Sequence, residues 1–249
     1  MSKYTQKTGK WIYQPNSKDP FRLSRTKIDM FMSCPRCFYI DRVLGLGRPS
    51  MPGFSLNSAV DELLKKEFDL LRQTGQTHEL MKQYNIDAVP FQHQNMDKWR
   101  ENFIGINYVH KPTNLEIFGA VDDVWINKNE ELLIVDYKST STKEEISLES
   151  EYKQGYKKQM EIYQWLFKIN GFRVSPVGYF VFANADKNLP KFDGRLDFKM
   201  TIIEHNGNTD WIEPAIFNIH KCLNSPNIPE SNSECEHCAY RKLTRKVEE

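Results

Sequence analysis

The stretch LEIFGAVDDVWINKNEELLIVDYKSTST, Leu115 to Thr142, constrains the fold more than any other part of the chain. Its two apolar runs, Leu115 to Ile126 and Glu131 to Lys138, flank the turn-forming Asn127-Lys128-Asn129-Glu130, an order that predicts a β-hairpin. Both runs carry acids where a buried strand should be apolar: Asp122 and Asp123 in the first, Asp136 in the second. Side chains in a strand alternate faces, so Asp136 and Lys138 point the same way, and Asp122 on the partner strand can meet them across the hairpin. Asp123 then faces the opposite side. Unpartnered acids in apolar strands carry a desolvation cost. Two carboxylates and a lysine converging at a sheet suit a hard divalent cation and a phosphate, because Mg²⁺ takes one or two carboxylates plus water and phosphate oxygens. The lysine can orient or help deprotonate an attacking water and balance charge on the phosphate. The same spacing allows a structural Asp–Lys ion pair at a strand end, with Asp123 in solvent.

With 249 residues the chain is long enough for one large domain or one domain with appendages. Residues 1–20 are polar and read as a flexible arm. A short helical pattern opens at Leu23-Ser24, with Ser24 as N-cap, and ends at Cys34-Pro35. Gly45 to Phe54 is a loop, Leu56 to Leu71 has helix spacing, and residues 73–95 read as a loop with a short helix. Phe103 to Val109 is a strand. Glu149 to Ile169 forms a long helix stopped by Asn170-Gly171. Val174 to Ala183 reads as a central strand, Leu196 to Ile203 as an edge strand, and Thr209 to Leu223 as a helix. The order of helices, strand cluster, long helix and further strands predicts a single α/β domain over 21–249 with a mixed sheet. Apolar residues at 39% and a net charge of +1 mean a folded chain whose bulk electrostatics neither demand nor exclude nucleic acid. There is no apolar run of the ~18 residues that a membrane helix needs. The polar first ten residues lack a signal-peptide core, so a cytoplasmic protein with no membrane partner is expected.

Gly119-Ala120-Val121-Asp122, followed by Ile134-Val135-Asp136-Tyr137-Lys138-Ser139, resembles the GxxD and DxK signatures of the PD-(D/E)XK nuclease superfamily. Within it the likeness is to RecB-type exonuclease domains, which carry Q-x₃-Y on the helix after the DxK strand. Gln159-Met160-Glu161-Ile162-Tyr163 stands there, and spacing of four puts Gln159 and Tyr163 on one helical face. The resemblance implies a restriction-endonuclease-like core, a central mixed sheet flanked by helices. It also implies a Mg²⁺- or Mn²⁺-dependent DNA nuclease acting on single strands or DNA ends in repair, recombination or defence. Asp122 and Asp136 would hold the metal, Lys138 would position water and phosphate, and Gln159 and Tyr163 would orient the site or the DNA. Members of this group carry a metal-ligating His on an early helix; the matching position here is Asp61. An aspartate is a competent ligand for a hard cation, although Asp61 can equally be a solvated helix-face acid. With the His missing, the alternative is a nuclease-like DNA-binding or assembly module of weakened catalysis. The sequence has no helicase motif, so an unwinding or recombination partner would be a separate chain.

Cys34-Pro35-Arg36-Cys37 and Cys235-Glu236-His237-Cys238 are two C-x₂-C pairs about 200 residues apart. In a cytosolic chain such pairs point away from disulfides and toward metal ligation or plain core packing; a metal shared by both pairs, in one tetrahedral or cluster site, would bring the ends of the domain together. RecB-like members with an iron–sulfur cluster resemble this pattern but offer one N-terminal and three C-terminal cysteines; the last of those falls at Thr244, and Cys37 can fill the vacancy. Four thiolates suit Zn²⁺ as well as [4Fe–4S]. Cys222 is expected in the core, and His237 is expected to be exposed. Lys153, Lys157 and Lys158, interleaved with Tyr152 and Tyr156, and Arg22, Arg25 and Lys27 are candidate contacts to a DNA backbone.

Overall fold

A computed structural model of the protein describes residues 6–49, 53, 55–150 and 153–248. Among them the chain forms, in order, β1 (Phe21–Ser24), α1 (Arg25–Ser33), α2 (Pro35–Arg42), α3 (Ser55–Thr74), α4 (Glu79–Gln83), β2 (Ala88–Pro90), α5 (Met96–Arg100), β3 (Ile106–His110), β4 (Leu115–Gly119), β5 (Asp123–Asn127), β6 (Leu132–Thr140), α6 (Gln154–Ile169), β7 (Val177–Ala185), β8 (Phe198–Asn206), α7 (Ile212–Leu223) and α8 (Glu236–Glu248). This is a mixed α/β fold. The chain divides into two compact units, one of Met1–Pro52, Tyr108–Phe118 and Asp210–Glu249, the other of Gly53–Asn107 and Gly119–Thr209.

In the first unit β1 runs parallel to β4, with Leu23 opposite Ile117, in a small sheet ordered β1-β4-β3. Ser24 caps α1 in the extended conformation, although its hydroxyl makes no capping bond. Cys34 ends α1 by returning its N–H to the Met30 carbonyl at 2.9 Å. Pro35 then opens α2, at a position where a missing N–H costs nothing. The buried face of α7, with Ile212, Ile216 and Ile219, continues this core. Asp41, fully buried in α2, accepts from Lys7 at 2.5 Å, from Arg42 at 2.9 Å and from Lys27. Burial opposes its ionisation, but those three cations hold its carboxyl well below the usual range.

The second unit is built on a five-stranded mixed sheet ordered β2-β5-β6-β7-β8. The middle strand, β6, is antiparallel to β5 and parallel to β7. Leu133, Val135 and Tyr137 of β6 turn to one face, where Trp125 and Val181 join them against Leu64 and Phe68 of α3. The alternate residues, Asp136 among them, turn toward α6, whose Gln159 reaches that carboxylate. Gly178 on β7 lets α6 approach, since a Cβ there would lie 2.5 Å from the Met160 sulfur.

The predicted strand Phe103 to Val109 begins only at Ile106, and Leu196 to Ile203 is shifted to Phe198–Asn206. Two other predicted strands differ further in the structure. Leu115 to Ile126 is not one strand but two in different sheets, β4 and β5, separated by the bend Ala120–Asp122. Backbone approach makes the bend: a Cβ on Gly105, at φ +59°, would stand 2.2 Å from the Gly119 carbonyl oxygen. Val121 donates to the Trp99 carbonyl at 3.0 Å instead of to a strand. Asp122 therefore lies in that bend rather than on the partner strand. Further on, β7 begins at Val177, not Val174, because Pro176 cannot donate to a ladder; Val174 makes an isolated bridge to Leu132. Tyr152 lies outside the described residues, and α6 starts at Gln154.

Candidate active site

Asp122 and Asp136 are each fixed through one carboxylate oxygen. Asp122 Oδ2 accepts the Tyr137 N–H at 2.9 Å, the bond a strand partner would otherwise take. Asp136, fully buried on the central strand, accepts from the Gln159 amide at 2.5 Å through Oδ1. The second oxygen of each faces an ammonium: Asp136 Oδ2 meets Lys138, and Asp122 Oδ1 lies 3.4 Å from Lys65. The two-residue alternation of β6 brings Lys138 onto the face of Asp136, and its ammonium also stands 4.8 Å above the Tyr156 ring. Gln159 Nε2 lies 3.4 Å from the Tyr163 hydroxyl, one turn along α6. The Tyr163 ring rests where a side chain on Gly119 would be, since a Cβ there would come within 2.5 Å of it. Gly119 and Tyr163, one from each of two motifs, are thus sterically matched.

Asp61 sits on α3, bonded to Lys65 at 2.7 Å. Burial and the neighbouring Asp122 charge raise its pKa. Burial would lower that of Lys65, but Asp122 and Asp61 outweigh it and hold the ammonium above the usual lysine range. The donor set of Asp122 and Asp136, hard oxygens with one atom of each anchored and the other turned to a cation, fits Mg²⁺ or Mn²⁺.

Asp123 does not reach solvent. It is fully buried on the α3 face. There it accepts from the Tyr137 hydroxyl at 2.7 Å, from Arg100 at 3.0 Å, from Arg72, and from the Val124 N–H at 2.8 Å. Arg100 also donates to the Asp122 carbonyl at 2.9 Å. The network therefore grips the Asp122 main chain from below, while Tyr137 bridges both aspartates, N–H to one and O–H to the other. Tyr137, Arg72, Arg100 and Lys65 were not singled out by sequence. Their only local signal is that Tyr137 stands between Asp136 and Lys138, and that Lys65 follows Asp61 by one helical turn.

The four cysteines converge in the first unit. Sγ separations are 3.5 Å for Cys37–Cys238, 3.7 Å for Cys37–Cys235 and 3.9 Å for Cys34–Cys238, and all four sulfurs lie within 4.8 Å of one another. Four thiolates bound at ~2.3 Å around one tetrahedral ion stand about 3.8 Å apart. A cubane cluster interposes irons and sulfides and needs wider spacing. Burial opposes ionisation of Cys34, yet backbone N–H groups of Cys37 and Asn232 bring it down to about 7; burial pushes Cys37 and Cys238 up. Metal binding requires deprotonated thiolates, so an ion held here would favour the ionised forms that burial opposes at Cys37 and Cys238. Arg48, also unforeseen, donates to Cys235 Sγ at 3.4 Å. Thr244 bonds to the Arg241 carbonyl at 3.1 Å within α8, and neither it nor the half-buried His237 is among the clustered ligands. Cys222 is buried, and burial pushes its thiol up to about 11.

A mixed sheet with helices on its faces, and an Asp-x-Lys on its central strand, is a restriction-endonuclease-like core. A family model of the PD-(D/E)XK nuclease superfamily matches residues 56–243, from α3 into α8, and the chain belongs to that superfamily. The match contains Asp61, Asp122, Asp136, Lys138, Gln159 and Tyr163. No curated protein matches the chain. Among solved structures, the crystal structure of SSO0001 is similar at 17% identity with a TM-score of 0.38, over 92% of this chain and 87% of that one. Among the described residues no helix is long and apolar enough to cross a membrane.

Proposed function

We propose that this chain is a Mg²⁺- or Mn²⁺-dependent deoxyribonuclease of RecB-like type, hydrolysing phosphodiesters in single-stranded DNA or at DNA ends. The observation that carries the reading is the paired anchoring of Asp122 and Asp136: one oxygen of each is tied to Tyr137 N–H or Gln159, and the other is turned to an ammonium. When bound there, a divalent ion lowers the pKa of water and offsets charge developing on the phosphate. Asp122 and Asp136 would hold it, with Asp61 as an auxiliary ligand. Lys138, on the same face as Asp136, positions the attacking water and one phosphate oxygen. Gln159 orients Asp136, and Tyr163 fixes Gln159 against Gly119. Lys153, Lys157 and Lys158, on and just before α6, supply backbone contacts for the DNA strand. The cysteine cluster would hold a single ion, Zn²⁺, as a structural staple; the close sulfur spacing favours this over [4Fe–4S]. The cellular setting is repair, recombination or defence in the cytoplasm, with any helicase or recombination partner a separate chain.

The test is digestion of single-stranded DNA by the purified protein in Mn²⁺. Asp136→Ala and Lys138→Ala should each lose about a hundredfold or more in rate, the scale seen when one electrostatic contact to a transition state is removed, with melting curves that show a folded protein. Variants that cut as fast as the parent remove these residues from the site. A parent protein that binds single strands but leaves them intact in Mn²⁺ is instead a DNA-binding or assembly module.

A further inference from the structure

Two lysines attend the carboxylates, and only Lys138 belongs to a motif. Lys65 follows Asp61 by one turn of α3, and its ammonium bridges Asp61 Oδ2 at 2.7 Å and Asp122 Oδ1 at 3.4 Å. This is not an ordinary surface pair. Lys65, Asp61 and Asp122 are 21%, 33% and 21% exposed, whereas Glu62 and Lys66, one residue along the same helix, are 68% and 67% exposed. Partial burial weakens screening, so the Lys65 charge counts for more. Asp122 Oδ2 is committed to Tyr137, so Oδ1 is the oxygen it presents to a cation, and Lys65 faces that atom. Among the described residues the four cysteines are the only group of three or more candidate ligands within one-ion spacing. Asp61, Asp122 and Asp136 do not form such a group, and ammonium groups face them instead.

We propose that Lys65 is a tethered counter-cation that competes with a divalent ion for Asp122 and Asp61. The proposal rests on the reading of Asp122 and Asp136 as metal ligands. A lysine carried on the same helix as Asp61 cannot diffuse away, so it keeps the carboxylates from repelling one another and sets a threshold of ion concentration below which the site stays in its lysine-paired form. An ion that takes Asp122 Oδ1 must displace this ammonium, and its second charge is what lets it win. Lys65 is a positioning residue in this scheme, not a catalytic one.

The test is a calorimetric titration of the DNA-free full chain with Mn²⁺, an ion that prefers oxygen donors over the cysteine cluster. Lys65→Met keeps the aliphatic stem and removes the charge; it should bind Mn²⁺ roughly tenfold more tightly, as expected for loss of one partly buried competing charge. Lys65→Gln, a second charge-free variant, should behave the same way, and Lys65→Arg should match the parent. Unchanged or weaker Mn²⁺ affinity in both Lys65→Met and Lys65→Gln overturns the proposal. Asp122→Asn, measured alongside, should abolish binding in the parent and in Lys65→Met. If Asp122→Asn binds Mn²⁺ like the parent, it is the carboxylate reading that fails, whatever the Lys65 variants do.

Discussion

At the scale of single residues, Tyr137 does most to hold the site together. Its N–H fixes Asp122 and its hydroxyl fixes Asp123, so one side chain and its own peptide tie the presented carboxylate to the buried one. Tyr137→Phe removes only the hydroxyl. Asp123 then loses one donor in a fully buried position, which should cost about 1–3 kcal/mol of stability. Asp122 keeps its peptide bond to residue 137, so Mn²⁺-supported cleavage should stay within a few-fold of the parent. Chemical denaturation beside a single-strand digestion assay separates the two effects, and a large loss of cleavage without loss of stability would place the hydroxyl in the chemistry. Strand alternation put Asp136 and Lys138 on one face of β6, whereas Asp122, which lies in a bend, was marked by the Gly-x-x-Asp motif alone. The burial of Asp123 was not. Alternation gave its face, but its partners Arg72 and Arg100 lie 51 and 23 residues away in sequence, and an acid without visible partners reads as solvent-facing.

At the scale of elements, the long helices α3 and α6 were easier to read than the strand break, while α2 (Pro35–Arg42) and α8 (Glu236–Glu248) were not foreseen. The pattern of α3 and the Asn170-Gly171 stop of α6 announce themselves, because amphipathic spacing and a residue at φ +90° are local properties. The change of sheet between β4 and β5 is not local. Ala120 and Val121 continue an apolar run, and only Gly105 pressing on the Gly119 carbonyl explains why the strand ends. The same Gly119 is where two motifs touch. Gly119→Ala would drive a methyl to within 2.5 Å of the Tyr163 ring, forcing that ring, and with it Gln159, off position. The overpacking should cost about 1–3 kcal/mol, and cleavage should fall further than stability alone explains, since Gln159 anchors Asp136. In a Tyr163→Ala background, where the ring is gone, adding Gly119→Ala should cost little further stability, a non-additivity that marks the contact. If the single variant melts like the parent, the close packing of Gly119 on Tyr163 is wrong.

At the scale of the whole molecule, the cysteines join residues near both ends of the chain into one unit, across about 200 residues of sequence. Both the two-by-two spacing and the meeting of the pairs at one site were legible, because two C-x₂-C pairs complete one four-thiolate set; the Arg48 contact to Cys235 was not, since only the fold brings it there. A structural metal contributes several kcal/mol of folding free energy, with apparent binding on the order of 10–16 kcal/mol in zinc-finger peptides. Each of Cys34→Ser, Cys37→Ser, Cys235→Ser and Cys238→Ser should therefore lower the melting temperature by a similar, large amount and release the metal, while Cys222→Ser should behave as a small core change. Metal analysis of anaerobically purified protein should find about one zinc per chain by the spacing argument; full metal retention in Cys37→Ser would remove that residue from the site. The central claim, that Asp122 and Asp136 hold a divalent ion for phosphodiester hydrolysis, is tested most directly by anomalous diffraction at the manganese edge from crystals soaked in Mn²⁺. A manganese ion held by these carboxylates gives a peak in contact with Asp122 Oδ1 and Asp136 Oδ2, at the ~2.0–2.6 Å of hard-cation–oxygen bonds. A strong manganese peak elsewhere in the chain, with Lys65 and Lys138 still seated on those oxygens, would contradict it.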